Sequence, residues 1–305
     1  MRSLGQRIDA AMLTNQDLEA IDDVAYEAKE EELVVRKMVS LKTDIAEGAE
    51  TYTYKKLTKR GAAKIYAYGG DDIPLVDADV EKVTLQINGE VLGFQVDVQE
   101  KRNAQYTGTS IDTTKTTAVR RGMAEKEQDY FFEGDEAFNA EGLINFTGIQ
   151  TTTVDQNEAG SSTNWPDKTG AEILADIRKI RKLGNTKTGI ETDTLGLPPG
   201  QYEDLDKPVN ADRPEYSIRD YIEEKDWFTN GIYKSSAYEE AGDGSTDAMV
   251  AFDSSNDVIE FGLPMDLTRH DPVILPNLAE QVNFEQRMVG AIVRFPLGIV
   301  RGDGI

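Results

Sequence analysis

The chain has no cysteine and only one histidine among its 305 residues. Without thiols there is neither a disulfide framework nor a thiolate zinc site. With His270 alone, no two-histidine metal motif can form, and any histidine relay would have to run through that residue. His270 sits in Leu267-Thr-Arg-His-Asp-Pro272 and reads as a surface turn residue. Long apolar runs are also missing. None reaches the roughly 18–20 residues that a membrane-spanning helix needs. The first seven residues lack the apolar stretch of a signal peptide, which predicts a protein made and kept in a cytoplasm. The formal sequon Asn145-Phe-Thr147 then carries no meaning. Bases are scarce: 33 Lys and Arg stand against 56 Asp and Glu, a formal net charge of −23. Nucleic acid and anionic lipid repel such a surface, so a protein that reads DNA is excluded.

Catalytic signatures are missing as well. The sequence holds no GxxxxGK[ST] phosphate loop, no GxGxxG fingerprint after a strand and no GxSxG elbow. Carboxylates are abundant, but the adjacent pairs Asp71/Asp72 and Glu31/Glu32 would point to opposite faces of a strand, which is wrong for a glycosidase pair. Asp243-Gly-Ser-Thr-Asp247 and Asp253-Ser-Ser-Asn-Asp257 are oxygen-rich, yet neither has EF-hand spacing, and both read as polar turns. No cofactor or metal is expected.

What is present is an order of segments. Residues 15–39 are acid-rich with a broken apolar stripe, Leu18, Ile21, Tyr26 and Leu33. They read as an N-terminal arm ordered against a partner, or as a solvated surface helix. Thr51-Tyr-Thr-Tyr-Lys-Lys-Leu57 and Ala63-Lys-Ile-Tyr-Ala-Tyr68 alternate around Thr58-Lys-Arg-Gly61, which predicts a hairpin turning at 58–61. Poor in large aliphatic residues, this hairpin has no core of its own and has to lie on something else. Its tip carries Lys55, Lys56, Lys59, Arg60 and Lys64 with no acid among them. Asp71-Asp-Ile-Pro74 closes the segment. Strand alternation follows through Val83, Leu85, Ile87, Val91, Phe94, Val96 and Val98, with a turn at Asn88-Gly89.

A long helix is expected over residues 113–133, with Asp112 as its N-cap and Val119, Met123, Tyr130 and Phe131 as its buried stripe. Arg121 and Glu125 are spaced to pair across one turn. Thr169-Gly-Ala-Glu172 is a capping box opening a helix with the stripe Ile173, Leu174, Ile177 and Ile180. Its last turns carry Arg178, Lys179, Arg181 and Lys182, where the helix dipole favours cations. Ser217 caps a shorter helix. Asn230-Gly231, Gly242-Asp-Gly244 and Ser254-Ser-Asn-Asp257 are expected hairpin turns between strands at 232–236, 249–253 and 258–261. Two strand patterns around Met288-Val-Gly290 close the chain.

This order resembles the major capsid proteins of tailed bacteriophages with the Hong Kong 97-type fold. Three stretches carry the resemblance. The first runs from Ala49-Glu-Thr-Tyr-Thr-Tyr54 to Asp71-Asp-Ile-Pro74. The second is the long helix leading into Gly142-Leu-Ile-Asn145. The third is Asp257-Val-Ile-Glu-Phe-Gly-Leu-Pro264 with Val282 to Arg287, Gly290-Ala-Ile-Val-Arg-Phe-Pro296 and Gly302-Asp-Gly-Ile305. The middle, 151–233, carries little of it.

The resemblance implies an α+β tile. Its parts would be an N-terminal arm (1–48), an extended loop (49–80), a peripheral domain with a spine helix (81–141), an axial domain (142–280) and strands returning to the peripheral domain (281–305). It implies a non-enzymatic subunit that assembles with copies of itself into hexamers and pentamers of an icosahedral shell around double-stranded DNA. The acidic charge fits a wall that does not hold tightly to what it encloses. Scaffolding, portal and decoration proteins are the further partners implied, with no membrane partner. The location implied is the virion, assembled in a host bacterial cytoplasm. Some such capsids cross-link subunits through a lysine–asparagine bond; no partner asparagine or catalytic glutamate is matched here. Lys55, Lys56, Lys59, Arg60 and Lys64 are the expected inter-subunit contacts. Their complement would be acid on an adjacent subunit, either residues 17–32 or the 125–129 face of the long helix. An encapsulin-type nanocompartment shell is the alternative of the same fold, and a soluble acidic hydrolase using an Asp/Glu pair is the alternative of another class.

Overall fold

The structure, a computed structural model, describes residues 31–60, 77–107, 111–186, 189–210 and 212–305. The expected strand at 63–68, Lys64, Asp71-Asp-Ile-Pro74 and residues 1–30 of the N-terminal arm lie outside the described residues. The chain divides into residues 1–32 and a unit spanning Leu33–Ile305. The architecture below is that of the second unit.

Its elements follow in chain order: α1 (Val35–Met38), β1 (Leu41–Lys42), β2 (Thr51–Arg60), β3 (Asp77–Gln86), β4 (Asn88–Val96), α2 (Val98–Thr107) and α3 (Ile111–Phe132). After α3 come β5 (Gly134–Asp135), β6 (Ala140–Glu141), β7 (Gln150–Thr153), α4 (Gly170–Asn185), β8 (Thr194–Leu197), α5 (Pro199–Asp204), β9 (Pro208–Asn210), β10 (Arg213–Ser217), α6 (Ile218–Glu224) and β11 (Gly231–Lys234). The rest is β12 (Ala248–Phe252), β13 (Ile259–Gly262), β14 (Met265–Arg269), β15 (Val273–Ile274), β16 (Glu280–Met288), β17 (Gly290–Val293) and β18 (Ile299–Asp303).

Helix α3 is about 33 Å long at 1.5 Å per residue, and its apolar stripe decides what it covers. Val119 and Met123 meet Val282, Phe284 and Phe94 of the sheet in which β4 and β16 pair along nine positions. Further along, Tyr130, Phe131 and Phe132 enter a second core with Phe261, Tyr238, Met288 and Val293. Phe131 is fully buried and sits edge-on to both Phe132 and Phe261, with ring centroids 5.4 and 5.7 Å apart. Each such burial contributes about 1.5–3 kcal/mol. The expected stripe is the observed one, and Arg121 pairs with Glu125 at 2.6 Å. Asp112 lies inside the first turn rather than before it. Gly134, at φ 77°, ends the helical path; a Cβ there would stand 2.1 Å from the Ala140 carbonyl oxygen.

A separate core forms around a five-stranded sheet of order β11-β8-β12-β18-β7. Strands β8 and β12 are buried throughout, because the sheet is covered on both faces. On one face Ile173, Ile177 and Ile180 of α4 meet Leu195, Leu197, Met249, Ala251 and Val300. Close approach there depends on Gly302, where a Cβ would stand 2.1 Å from Ile180 Cδ1. On the other face Val250, Phe252 and Ile299 join the Phe131 core. The capping box expected at Thr169/Glu172 is formed, and the cap expected at Ser217 is a capping box as well, with Asp220 as its partner.

Several pairings differ from the sequence reading. Strand β2 does not turn at 58–61 but runs on to Arg60, and its partner is β3, ten residues against ten. The polar run Thr58-Lys-Arg60 resembles a turn locally, but the ladder to β3 runs through all three of these residues. Asn88-Gly89 opens β4 instead of joining β3 to it, because β4 takes β16 as its partner. Val98, expected at the end of that strand pattern, begins α2. Asn230-Gly231 precedes a strand that pairs in parallel with β8, and Ser254–Asp257 links β12 to a strand in a different sheet. Neither is a hairpin turn. The boundary placed between residues 80 and 81 falls inside β3. The closing stretch divides among three sheets: β16 beside β4, β17 beside β13, and β18 between β12 and β7.

Candidate assembly surface

The ribbon β2–β3 is anchored at its base. Alternation places Tyr52, Tyr54, Val83, Leu85 and Ile87 toward the body, while Thr51, Thr53, Lys55, Lys82, Thr84 and Gln86 are exposed. At the base, Tyr54 and Ile87 pack with Val289 and Ile292. The Tyr54 hydroxyl donates to the Val293 carbonyl at 2.8 Å, and burial raises its pKa. The Arg294 guanidinium lies 5.9 Å from the Tyr54 ring and is held by Glu260 at 2.5 Å. One end of the ribbon is therefore fixed.

The outer face is different. Thr53 and Thr84 share a hydroxyl hydrogen bond of 2.9 Å. Above them Lys55 stands opposite Lys82, and like charges directly opposite destabilise a ladder. Val80 is 55% exposed. Among the described residues the ribbon has two strands, and no other strand pairs with either edge.

Of the expected contact residues, Lys55 is exposed and Lys56 is half-buried, its ammonium 5.8 Å from the Tyr54 ring. Lys59 and Arg60 lie on β2 in register with Ala78 and Asp77. Lys64 lies outside the described residues. The sequence reading missed the carboxylates of the return strand. Glu81 stands in register with Lys56 and Asp79 with Thr58. The alternation Asp77-Ala-Asp-Val-Glu81, acids at every second position, was the available signal of a strand.

A second arrangement ties the start of the unit to α3. Arg36 holds Glu127 through two hydrogen bonds of 2.7 Å and reaches Asp266 of β14 at 2.8 Å. Glu127 is almost wholly buried. The same guanidinium keeps the Asp266 carboxyl below its ordinary range. The Val34 amide donates to Gln128 Oε1 at 2.9 Å. Nothing in the periodicity of residues 15–39 announced this clamp.

The sites weighed for chemistry are occupied by structural bonds. His270 is half-exposed, 2.9 Å from Glu285. Asp247 accepts from Gln201 and from the Glu240 amide, Asp243 from Arg301, and Asp253 from the Ser255 amide. Among the described residues no group of three His, Asp or Glu is placed to hold a metal, and no helix is long and apolar enough to cross a membrane.

Among the described residues, closed cores and an anchored two-stranded ribbon are features of a structural subunit rather than of a catalytic cleft. The sequence profile of the family described as major capsid protein matches residues 61–305, and the chain belongs to that family. No curated protein matches it in sequence. Among solved structures, the capsid of Myoviridae phage XM1 aligns with a TM-score of 0.81 at 13% identity, covering 97% of this chain and 100% of that one. A structure from Gordonia phage Cozz gives 0.64 at 14% identity, over 99% and 98% of the two chains. A virus-like particle from Pyrococcus furiosus gives 0.57 at 14%, over 88% and 90%. At such identities the likeness is one of fold, the Hong Kong 97-type fold of tailed-phage capsid proteins. By its family the chain is a major capsid protein, a structural subunit that assembles into a capsid shell.

Proposed function

We propose that this subunit forms hexamers and pentamers of an icosahedral head enclosing double-stranded DNA, and that the β2–β3 ribbon is the extended loop that lies on a neighbouring subunit. The role is mechanical. Many weak contacts per subunit, repeated by symmetry, hold the shell. The subunit then has the five parts named for it, with α3 as the spine helix, except that the extended loop runs to the end of β3 and β18 belongs with the axial sheet. Assembly takes place in the host cytoplasm, and scaffolding, portal and decoration proteins are the further partners.

The observation that carries the reading is the ribbon itself. It pairs over ten positions, and among the described side chains those of its base, Tyr52, Tyr54, Val83, Leu85 and Ile87, pack on the body. A two-stranded ribbon is marginal alone in water, so the rest of it calls for a covering surface. Lys55, Lys56, Lys59, Arg60 and Lys64 would steer it onto acid of an adjacent copy. Each exposed pair contributes only about 0–1 kcal/mol.

Deleting residues 57–63 tests the assignment. The variant is expected to stay folded by circular dichroism and to form no shells by electron microscopy. Normal shells would overturn the ribbon's role. Reversing Lys59 and Arg60 to glutamate should impair assembly of empty shells at low salt. Nucleic acid inside wild-type particles separates a phage head from a nanocompartment.

A further inference from the structure

One surface outside the ribbon concentrates cations on this acidic chain. Helix α4 presents Arg178 and Arg181 over the indole of Trp227, guanidinium to ring centroid 5.6 and 5.4 Å. Trp227 meets Tyr221 edge-on at 5.4 Å, and Tyr221 meets Tyr216 at 6.4 Å. All three aromatics are partly exposed. Lys182 stands exposed beside them.

The helix dipole does not explain the cluster. Its field fades beyond the last turn, and only Lys182 lies there. Ion pairing does not explain it either. Neighbouring Lys179 is neutralised by Asp155 at 2.7 Å. Among the described residues no carboxylate comes within 4 Å of Arg178 or Lys182, and Arg181 reaches only Glu191, at 4.0 Å. Two guanidinium groups thus lie over one indole; Arg178 donates to the Tyr221 hydroxyl and Arg181 to the Trp227 carbonyl, each at 3.4 Å, and the remaining N–H groups of each fork are left for an acceptor. Stacking lowers the entropy lost when such a fork binds a carboxylate.

We infer that the Arg178–Arg181–Trp227 face docks on a carboxylate-bearing surface of a second copy of this chain. Two observations select that occupant. The composition, Trp, Tyr and Arg around a half-buried centre, is that of a protein–protein hot spot. And every copy carries a net charge of −23, so the acid that complements this face is supplied by each neighbour. A ring of identical subunits closes through head-to-tail contacts, in which two different patches meet. A cationic patch facing an acidic one removes the like-charge repulsion that otherwise opposes the ring. The inference rests on the capsomer rings proposed above and adds to them one half of the contact.

The test uses the full chain. Arg178→Glu with Arg181→Glu, and separately Trp227→Ala, are compared with wild type by electron microscopy and native mass spectrometry, with circular dichroism as the check on folding. Folded variants whose assembled fraction falls at least about tenfold support the contact. A photo-cross-linking residue at position 178, introduced into assembling wild-type chain, should give a covalent chain–chain dimer. Unchanged assembly of the folded variants, or cross-linking without chain dimers, overturns the inference. Normal shells with reduced nucleic-acid content also overturn it, because the face then meets phosphate rather than a second copy. Failure of the wild type itself to form shells would strike the capsomer reading instead.

Discussion

Removing Arg36 should loosen the start of the Leu33–Ile305 unit more than removing any other single charge on it. Glu127 is 4% exposed by side chain and Arg36 is 43% exposed. Breaking a buried ion pair from one side costs about 3–5 kcal/mol, because the remaining charge is left without a partner. Here the charge left behind by Arg36→Ala is the buried one. Water reaching through the exposed half of the site reduces the cost to about 2–3 kcal/mol. Glu127→Gln leaves behind the exposed partner, which still holds Asp266 at 2.8 Å. That change should cost about 1 kcal/mol. The double change Arg36→Met with Glu127→Leu removes both charges at similar volume and should lie within about 1 kcal/mol of wild type. Urea unfolding at pH 7, on protein carrying the 57–63 deletion to suppress assembly, measures all three. Native-state hydrogen exchange adds locality: Met38 and Val39, whose amides bond to the carbonyls of Val34 and Val35, should exchange faster in Arg36→Ala while α4 does not change. Equal losses from the two single variants, or a double variant as weak as Arg36→Ala, would refute the argument that a stranded carboxylate sets the cost.

Phe131→Ala should cost about 3–5 kcal/mol by urea unfolding, since the ring is fully enclosed. Lys168→Met should cost about 3–5 kcal/mol on the same measurement, because Asp176, 2.6 Å away and buried, loses its cation and keeps only the Trp165 indole and a long bond from the Asp155 amide. Glu90→Gln should stabilise. Burial, opposed by Lys126 and reinforced by Glu127, Asp129 and Asp135, pushes the Glu90 carboxyl from 4.5 to about 6. A carboxyl raised in the folded state favours folding when protonated, so its penalty is absent below pH 4.5, grows as pH rises from 4.5 to about 6 and is complete above that. After discounting for partial exposure the gain from Glu90→Gln is about 1 kcal/mol at pH 8 and none at pH 4, checked by denaturation at both.

The parts of the fold legible in the sequence are those where a local pattern and the burial it predicts agree. Val119, Met123, Tyr130 and Phe131 recur at helical spacing and are all buried. Thr169 and Glu172 bond reciprocally, as a capping box must, since both orphan donors lie within one turn. Strand partners were not legible. Alternation identifies a strand but not its neighbour, and β2, β4 and β11 each pair with a strand distant in sequence or approached from an unexpected direction. Residues 151–233 gave least by resemblance, yet they supply α4, β8 and much of the second core. The period there is ordinary, so nothing in it marks the architecture. The Arg36 clamp was hidden for another reason. A buried Glu127 on an apolar stripe looks like a solvated face until a cation 91 residues away is placed on it.

The charge distribution joins these observations. With 33 bases to 56 acids, most cations in the unit have a carboxylate within reach, and many have one: Lys42 with Asp44, Lys115 with Glu100, Arg219 with Asp206, Arg294 with Glu260. A cation on such a chain that lacks a close acid has been set apart from it by the fold. The outer face of the ribbon, with Lys55 opposite Lys82, and the Trp227 face are two places where this happens. Copies of net charge −23 repel at long range, and no surface of average composition would bring them together. Salt acts on the two distances unequally. The Debye length is about 10 Å at 0.1 M and about 3 Å at 1 M. Moderate salt therefore removes the long-range repulsion first and leaves contact pairs in place, whereas molar salt weakens the contacts too. A shell built from such subunits closes where unlike patches of neighbouring copies meet, and its tolerance of salt is set by how much of each contact is aromatic and aliphatic rather than ionic.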